Sequence, residues 1–557
     1  MSTRYLLSRQ IRLILAITLA HTVAWFAYYS QIPAGLYLGT EARATLDAAL
    51  ALAQGTPTSG SGHSLYTYSL SLLAHFFSDS SSLTFAARGL NAFAFILAAG
   101  LCAATAGHYW RRSRAVWISG LLVGLNPFLV FWAAEVSPAL LATACISIAL
   151  WRVQPWLRHP KLSDSVWIGL SLALAALFET TLMPIALLWP ALACLYPQRE
   201  RALHLVLALV PIAATCALVA VSSLQLQDAI EINTQQLGSG LYSALGSQES
   251  YGDKSFSLYK QLHVLLFLNP IHWGALFILA AAGIYARVKD GHRGHSLLIA
   301  VLVLALFALS FALLASGSQA RASMIPLLAV FAAGIQLIPK IWKHASPRTR
   351  RRITIAGLLL ALFSYAGYFG PPQSQTWERD YVFLAEANIR LGNNDRANTW
   401  AEKALELNPA RGDMQEVLVI AQFNNWAIGD WQRSLPIEAA REYLQAAQQL
   451  EKTPTTQAIQ GIYLYKLREV EAADALWQAL RAESALALLC LYWTGSVTEI
   501  SNSEIRAYQG TPYVELLKTA AEINRSALEY RNAEKQLDNI LAFTYFYFVN
   551  FVHTVYF

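Results

Sequence analysis

Apolar positions follow two patterns along this chain. Over the first two thirds they come in nearly unbroken runs of bilayer length. Beyond Gly370-Pro371-Pro372 they become periodic and alternate with charges. The runs near 11–32, 85–108, 115–133, 138–156, 165–180, 182–197, 203–223, 271–288, 296–316, 322–342 and 353–370 predict about eleven transmembrane helices. Lipid offers backbone groups no partners, so each run must close its own hydrogen bonds as a helix. The first run is followed at once by others, and no small-residue cleavage site ends it, so it is expected to be retained. The predicted class is all-α: a polytopic membrane helix bundle over 1–370, then a water-exposed helical solenoid over 371–557. The apolar tail 540–557, "ILAFTYFYFVNFVHTVYF", suits a twelfth span, a capping helix of the solenoid or an interfacial helix.

Basic residues set the orientation. Clusters stand before the first run (Arg4, Arg9, Arg12), after the second (Arg111, Arg112, Arg114), after the fourth (Arg158, Lys161), after the sixth (Arg199, Arg201), after the eighth (Arg287, Lys289, Arg293) and after the tenth (Lys340 to Arg352). With the spans as drawn, every cluster falls on one side. The positive-inside rule makes that side the cytoplasm, so the N-terminus is expected inside and the C-terminal domain outside. A missed or invented helix would break this alternation. The outer loops are then 33–84, 224–270 and the stretch after 370.

Composition agrees. Hydrophobic residues make up 55% and charged residues 14%, with a mean hydropathy of +0.37, well on the apolar side of a soluble domain. The net charge of +6 would hint at nucleic acid on a soluble protein. Here the basic residues lie in turns between apolar runs, and no nucleic-acid partner is expected. Of the five cysteines, Cys102, Cys145, Cys194 and Cys216 fall inside apolar runs and Cys490 stands alone, which speaks against a disulfide framework or a zinc cluster. No Gly-rich phosphate loop follows a strand, which argues against a nucleotide site.

Candidate chemistry sits at the outer helix ends, where ionisable groups near lipid are costly to hold. Glu41 and Asp47 are the only carboxylates between the first run and Asp79. Glu41 opens a helical segment. There it is placed either to take a proton from an acceptor hydroxyl or simply to complement the helix dipole. Glu135 in "FWAAEVSP" and Glu179 in "LFETTLMP" also lie at outer ends, as substrate-orienting groups or as carboxylates facing water. Lys254, Lys260 and His263 belong to the second outer loop, as ligand contacts or as solvated side chains.

Two resemblances extend this reading. Residues 378–411, containing "YVFLAEANIRLGNNDRANTWAEKALELNP", resemble one tetratricopeptide repeat. Tyr381, Leu384, Ala385, Gly392, Ala397, Ala401, Ala404 and Pro409 stand at its aromatic, small and breaker positions. Segments 430–452 and 458–482 repeat only the alanine spacing. Such a solenoid offers a concave face for a protein partner or polymeric acceptor, or serves as an assembly scaffold.

Residues 33–156 resemble the N-terminal module of GT-C superfamily glycosyltransferases, which include protein O-mannosyltransferases and lipid A aminoarabinose transferases. The likeness rests on "TEARATLDAALALAQG", "HSLYTYSLSLLAHFF", "AARGLNAFAFILAA" and "LLVGLNPFLVFWAAEVSPALLATACISIALW". Further along, "SGSQARASMIPLLAVFAAGI" is similar to a late span of that family. The chain departs from the pattern at Thr40-Glu41, where an acidic pair is usual, at His63-Ser64, where prolines are usual, and at Ala322, where a tyrosine is usual. The resemblance implies a sugar donor carried on polyprenyl phosphate, reached from the outer leaflet, and one inverting displacement onto an acceptor hydroxyl. It implies Glu41 as general base, Arg321 as first contact of the donor phosphate, with Lys260 and Lys254 as further phosphate contacts. Asp47, Glu135, Glu179, His63 and Tyr66 would be secondary acidic or substrate-binding residues. Some relatives use a divalent ion held by paired acidic groups. This loop lacks the paired carboxylates that such a site wants, which points to no metal and no cofactor. The expected location is a bacterial inner membrane, with the C-terminal domain in the periplasm. The acceptor is left open as glycan, lipid or protein. The competing readings are a polymerase or ligase of lipid-linked glycans, a membrane-anchored scaffold and a transporter. Loop 224–270 holds no arginine and one histidine, which weighs against the first; about eleven spans exceed an anchor's need; and the acidic residues avoid mid-membrane, unlike a transporter's.

Overall fold

A computed structural model describes residues 3–55, 64–158 apart from 78, 161–179, 182, 183, 185, 186, 254–289 apart from 268 and 270, 318–365, 374–411 apart from 392, and 454–508 apart from 495, 498 and 499, with single positions 414, 415, 417, 418, 421, 445 and 517. Among the described residues every element is helical. The chain divides into two compact units, Met1–Pro372 and Gln373–Phe557, beside the Pro-Pro break.

In the first unit, α1 (Thr3–Tyr29), α2 (Thr40–Ala53), α3 (Leu65–Ala74), α4 (Ser80–Trp110), α5 (Ser113–Gly124), α6 (Pro127–Ala133), α7 (Ala139–Arg158) and α8 (Leu162–Phe178) are followed by α9 (Phe256–Leu262), α10 (Trp273–Lys289), a helical stretch α11 (Arg321–His344) and α12 (Pro347–Tyr365). Three helices are long and apolar enough to cross a membrane: Ser8–Tyr29, Ser80–Trp110 and Arg321–His344. The pair α5–α6 makes a fourth if its 50° bend is one broken span. The other expected spans among the described residues are helical but fall short of the roughly 20 apolar residues a bilayer asks for. Helix α7 ends in Arg152, Gln154 and Pro155, α8 and α10 have 17 residues each, and α12 opens on Arg348, Arg350, Arg351 and Arg352. The expected spans 203–223 and 296–316, most of 182–197, and the tail 540–557 lie outside the described residues.

Capping decides where the helices begin. The Asp79 carboxylate accepts from Ser82 N at 2.8 Å to start α4. At the α5–α6 break, Asn126 Oδ1 accepts from Phe128 N (3.0 Å) and Leu129 N (3.2 Å), and Pro127 takes the first helical position, where no N–H is needed. That break turns the chain toward Glu135.

Without a hydrophobic drive between helices in lipid, close approach depends on small residues. A Cβ added at Gly124 would lie 2.1 Å from Thr18 Oγ1, so α1 and α5 meet through that glycine. Ile14 packs with Ala103 and Val116, and the His21 ring N–H donates to Gly124 O at 3.0 Å. These contacts set directions. Helix α1 and the α5–α6 pair run one way, and α4 runs back, bringing Asn91 level with Glu135. Further back-running elements are α7, whose Ser147 meets Cys102, α10 and α11. At one end Trp110 Nε1 donates to Val330 O at 2.7 Å, and the Arg287 guanidinium lies 4.6 Å from the Tyr109 ring and 5.3 Å from that of Trp110. The basic turns after α4 and α10 therefore share that end of the unit.

The second unit begins with a helical hairpin, α13 (Ser374–Arg390) and α14 (Asn394–Leu407), packed through Ala385, Ala397, Ala401 and Ala404. A second hairpin, α15 (Pro454–Lys466) and α16 (Val470–Ala479), is followed by α17 (Ala485–Thr494) and α18 (Asn502–Ala507). Gly461 lets the Trp477 indole lie on α15, where Trp477 Nε1 donates to Ala458 O at 2.9 Å. Both hairpins turn on the same hydrogen bond, Asn393 N to Asn388 O and Glu469 N to Leu464 O, each 2.9 Å. Segment 430–452 lies outside the described residues save for residue 445.

Candidate functional site

The end of the first unit away from Arg287 holds a buried ion pair; the buried Asp164, which Arg152 meets at 3.4 Å, lies elsewhere, in the first turn of α8. Tyr29 is the last residue of α1, Glu135 lies between α6 and α7, and Lys254 stands two residues before α9. Lys254 Nζ donates to Glu135 Oε1 at 2.8 Å, and the Tyr29 hydroxyl donates to the same oxygen. Lys254 Nζ is also 3.4 Å from the Tyr29 hydroxyl. The Lys254 and Glu135 side chains are 2% and 4% exposed. From α4, Asn91 Nδ2 donates to the Glu135 backbone carbonyl at 2.7 Å and reaches the Tyr66 hydroxyl at 3.4 Å. Burial pushes the Tyr66 phenol up, so it stays a proton donor. Phe131 packs edge-on against Tyr29 and meets Phe256 and Tyr259 of α9, which closes one wall of the cluster.

A second group of cations lies along α9 and the start of α10. Buried Lys260 donates to His272 Nδ1 at 2.7 Å, and the Arg321 guanidinium, also buried, lies 5.6 Å from the Trp273 ring. Helix α9 thus carries Lys260 and follows directly on Lys254, linking the two groups. At its C-terminal end His263 Nδ1 hydrogen-bonds the Tyr28 hydroxyl at 3.0 Å, among the rings of Trp25, Tyr28 and Tyr259. Burial holds its imidazole down to about 4, so it is neutral at pH 7.

The structure therefore joins Glu135 to Lys254 and sets Tyr66 one hydrogen bond behind them. It places Glu41 and Asp47 differently. Helix α2 buries Ala42, Leu46 and Ala49 against Tyr66, Leu70 and Val136, and both carboxylates stand on its exposed side, Glu41 in the first turn. Glu179 ends α8 half-buried, with its N–H bonded to Ala175 O. His63 lies outside the described residues. Tyr29, Asn91, His272 and Trp273 escaped the sequence reading. Tyr29 and Trp273 look like ordinary aromatics at a span end, and an asparagine within an apolar run was the one available signal. Among the described residues no group of three or more His, Cys, Asp or Glu is placed to hold a metal ion.

Among the described residues, the fold and this site define a helical protein with three helices long and apolar enough to cross a membrane and a buried ionic cluster at one end of its bundle. No known protein family matches the chain, and no curated protein is significantly similar to it.

Proposed function

We propose that residues 1–370 form a membrane glycosyltransferase. It takes a sugar from a polyprenyl-phosphate donor at the outer leaflet and passes it to an acceptor hydroxyl with inversion. In this reading about eleven spans cross a bacterial inner membrane with the N-terminus inside, and 371–557 is a tetratricopeptide-type solenoid in the periplasm, with a face for a protein partner or acceptor. The observation that carries the reading is the buried Glu135–Lys254–Tyr29 cluster at the bundle end opposite the basic turns. A buried ion pair is a poor source of stability, because desolvation offsets its attraction. An anchor or scaffold has no use for one; a site that handles a phosphate and a proton does.

In the reaction the acceptor oxygen bonds to the anomeric carbon as the bond from that carbon to the phosphate oxygen breaks. The departing polyprenyl phosphate keeps the electron pair, and the hydroxyl proton passes to a carboxylate. Arg321, Lys260 and Lys254 offset the charge that gathers on the phosphate. The loop carboxylate Glu41 is the first base, standing in the opening turn of α2. A second assignment, Glu135, is favoured by its position, since its carboxylate sits directly on Lys254, one of the proposed phosphate contacts. Asp47, Glu179, His63 and Tyr66 remain secondary substrate contacts in this proposal.

The test is transfer in purified membranes from a panel of radiolabelled polyprenyl-phosphate sugars, offered with glycan, lipid and protein acceptors. Glu41→Gln, Glu135→Gln and Arg321→Ala are compared with wild type. Loss on the order of 100-fold or more in one of the two carboxylate variants, with insertion intact, identifies the base. Full activity in both sinks the mechanism. Transfer of whole oligosaccharides makes the protein a polymerase or ligase, and silence of wild type with every pairing puts the scaffold in first place.

A further inference from the structure

Lys254 is the only cation that the described geometry places on a buried carboxylate of the first unit's site, and its bond to Glu135 has a consequence for ligand entry. While Lys254 holds Glu135, the carboxylate is neutralised and the ammonium is occupied. Neither serves chemistry in that state. Yet both are carried on segments that are not parts of long helices: Glu135 on the link between α6 and α7, and Lys254 ahead of the short helix α9. Tyr29, on the end of α1, hydrogen-bonds the shared oxygen and lies within 3.4 Å of the ammonium, so it remains a partner to whichever group stays behind.

We infer that the Glu135–Lys254 pair is an exchangeable ion pair, in which a phosphate group displaces Glu135 from Lys254 and the released carboxylate takes up one proton. This rests on the glycosyl-transfer reading for its purpose but not for its test. A phosphate monoester or diester offers the ammonium more charge and more acceptor oxygens than one carboxylate does. Once its cation has gone, Glu135 is a buried charge that keeps, among the described residues, a phenol and no counter-ion on its side chain, and such a group neutralises rather than stay charged. Among the described residues the groups facing it are Lys254 and Tyr29 on its carboxylate and Asn91 on its carbonyl, with Tyr66 behind Asn91. Without acceptor the proton comes from solvent. With acceptor bound it comes from the attacking hydroxyl, which makes the pair a device that arms the base only when donor phosphate is in place.

The test is calorimetric titration of the purified full-length chain in detergent, in two buffers of different ionisation enthalpy. Inorganic phosphate is used in one arm and farnesyl phosphate in the other. Wild type is expected to bind at least one of them with uptake of close to one proton per site. Glu135→Gln is expected to bind it roughly tenfold tighter, because the competitor for Lys254 is gone, and with no proton uptake. Lys254→Met is expected to lose binding. The double variant Glu135→Gln/Lys254→Met, which leaves no unpaired charge, shows by its melting temperature that the site still folds and is expected not to bind. Binding of farnesyl phosphate alone identifies a lipid headgroup; binding of inorganic phosphate as well identifies the phosphate itself as sufficient. The inference is overturned if neither probe binds Glu135→Gln, if Glu135→Gln binds no tighter than wild type, or if proton uptake persists without Glu135. Glycosyl transfer enters none of these readouts, so a failure of the exchange and a failure of the transfer reading are told apart.

Discussion

At the scale of single residues, the Glu135–Lys254 pair is held by contacts that neither side chain supplies alone. Removing one partner strands a desolvated charge, so Lys254→Met is expected to destabilise the first unit by about 3–5 kcal/mol. The double variant Glu135→Gln/Lys254→Met should recover most of that loss. Melting of the purified protein in detergent measures both, and equal losses in single and double variants would show that the pair is not coupled. His263 makes a pH prediction. Its ordinary value is 6.5 and burial holds it near 4 in the folded chain, so between those values the unfolded chain binds a proton that the folded chain does not. Its contribution to stability is complete above about pH 6.5, falls as the pH is lowered toward 4, and changes no further below. Melting against pH should lose part of its acid slope in His263→Phe, and an unchanged slope would assign that slope to other groups.

At the scale of helices and turns, small residues and caps do the positioning. The α1–α5 crossing has no room for a Cβ at Gly124 beside Thr18 Oγ1. Gly124→Leu is expected to cost roughly 1–3 kcal/mol and to displace the α5–α6 break that leads to Glu135, so it should lower phosphate binding as well as the melting temperature. A fall in melting temperature with binding untouched would separate the crossing from the site. In the second unit, Arg468 closes α15 in the left-handed region with φ 68°, where an L side chain is strained. Arg468→Gly should raise stability by about 1 kcal/mol, read from denaturant unfolding of the second unit's signal. A lower midpoint would mean that the Arg468 side chain contributes more than its backbone strain costs.

At the scale of the whole molecule, orientation is the testable claim. The basic turns around Arg111 and Arg287 share one end of the first unit, and the ionic cluster occupies the other. A reporter enzyme that works only outside the cytoplasm should be active when fused after residue 372 and inactive when fused after Arg112. The reverse pattern would put the ionic cluster on the cytoplasmic face and end the lipid-linked donor reading. The helical class was legible in the chain itself, but the span count was not: of about eleven expected, three helices among the described residues are long and apolar enough to cross a membrane. Helix formation in apolar runs such as 85–108 needs only local hydrogen bonds and composition, and the change of pattern at Pro371-Pro372 marks a boundary that the contacts also draw. Helix ends are set locally, by Asp79 and Asn126 capping within three residues of themselves, but the hydropathy pattern runs 115–133 together across the break that Asn126 makes. The site was not legible. Glu41 and Glu135 look alike as carboxylates near span ends, and only packing puts one on the exposed side of α2 and the other against Lys254. Burial and pairing are properties of segments brought together across more than a hundred positions, Tyr29 to Glu135 to Lys254. Local pattern carries no record of which distant residue will fill a given place, so the sequence determined the helices and the tertiary structure alone decided which of their charged groups meet.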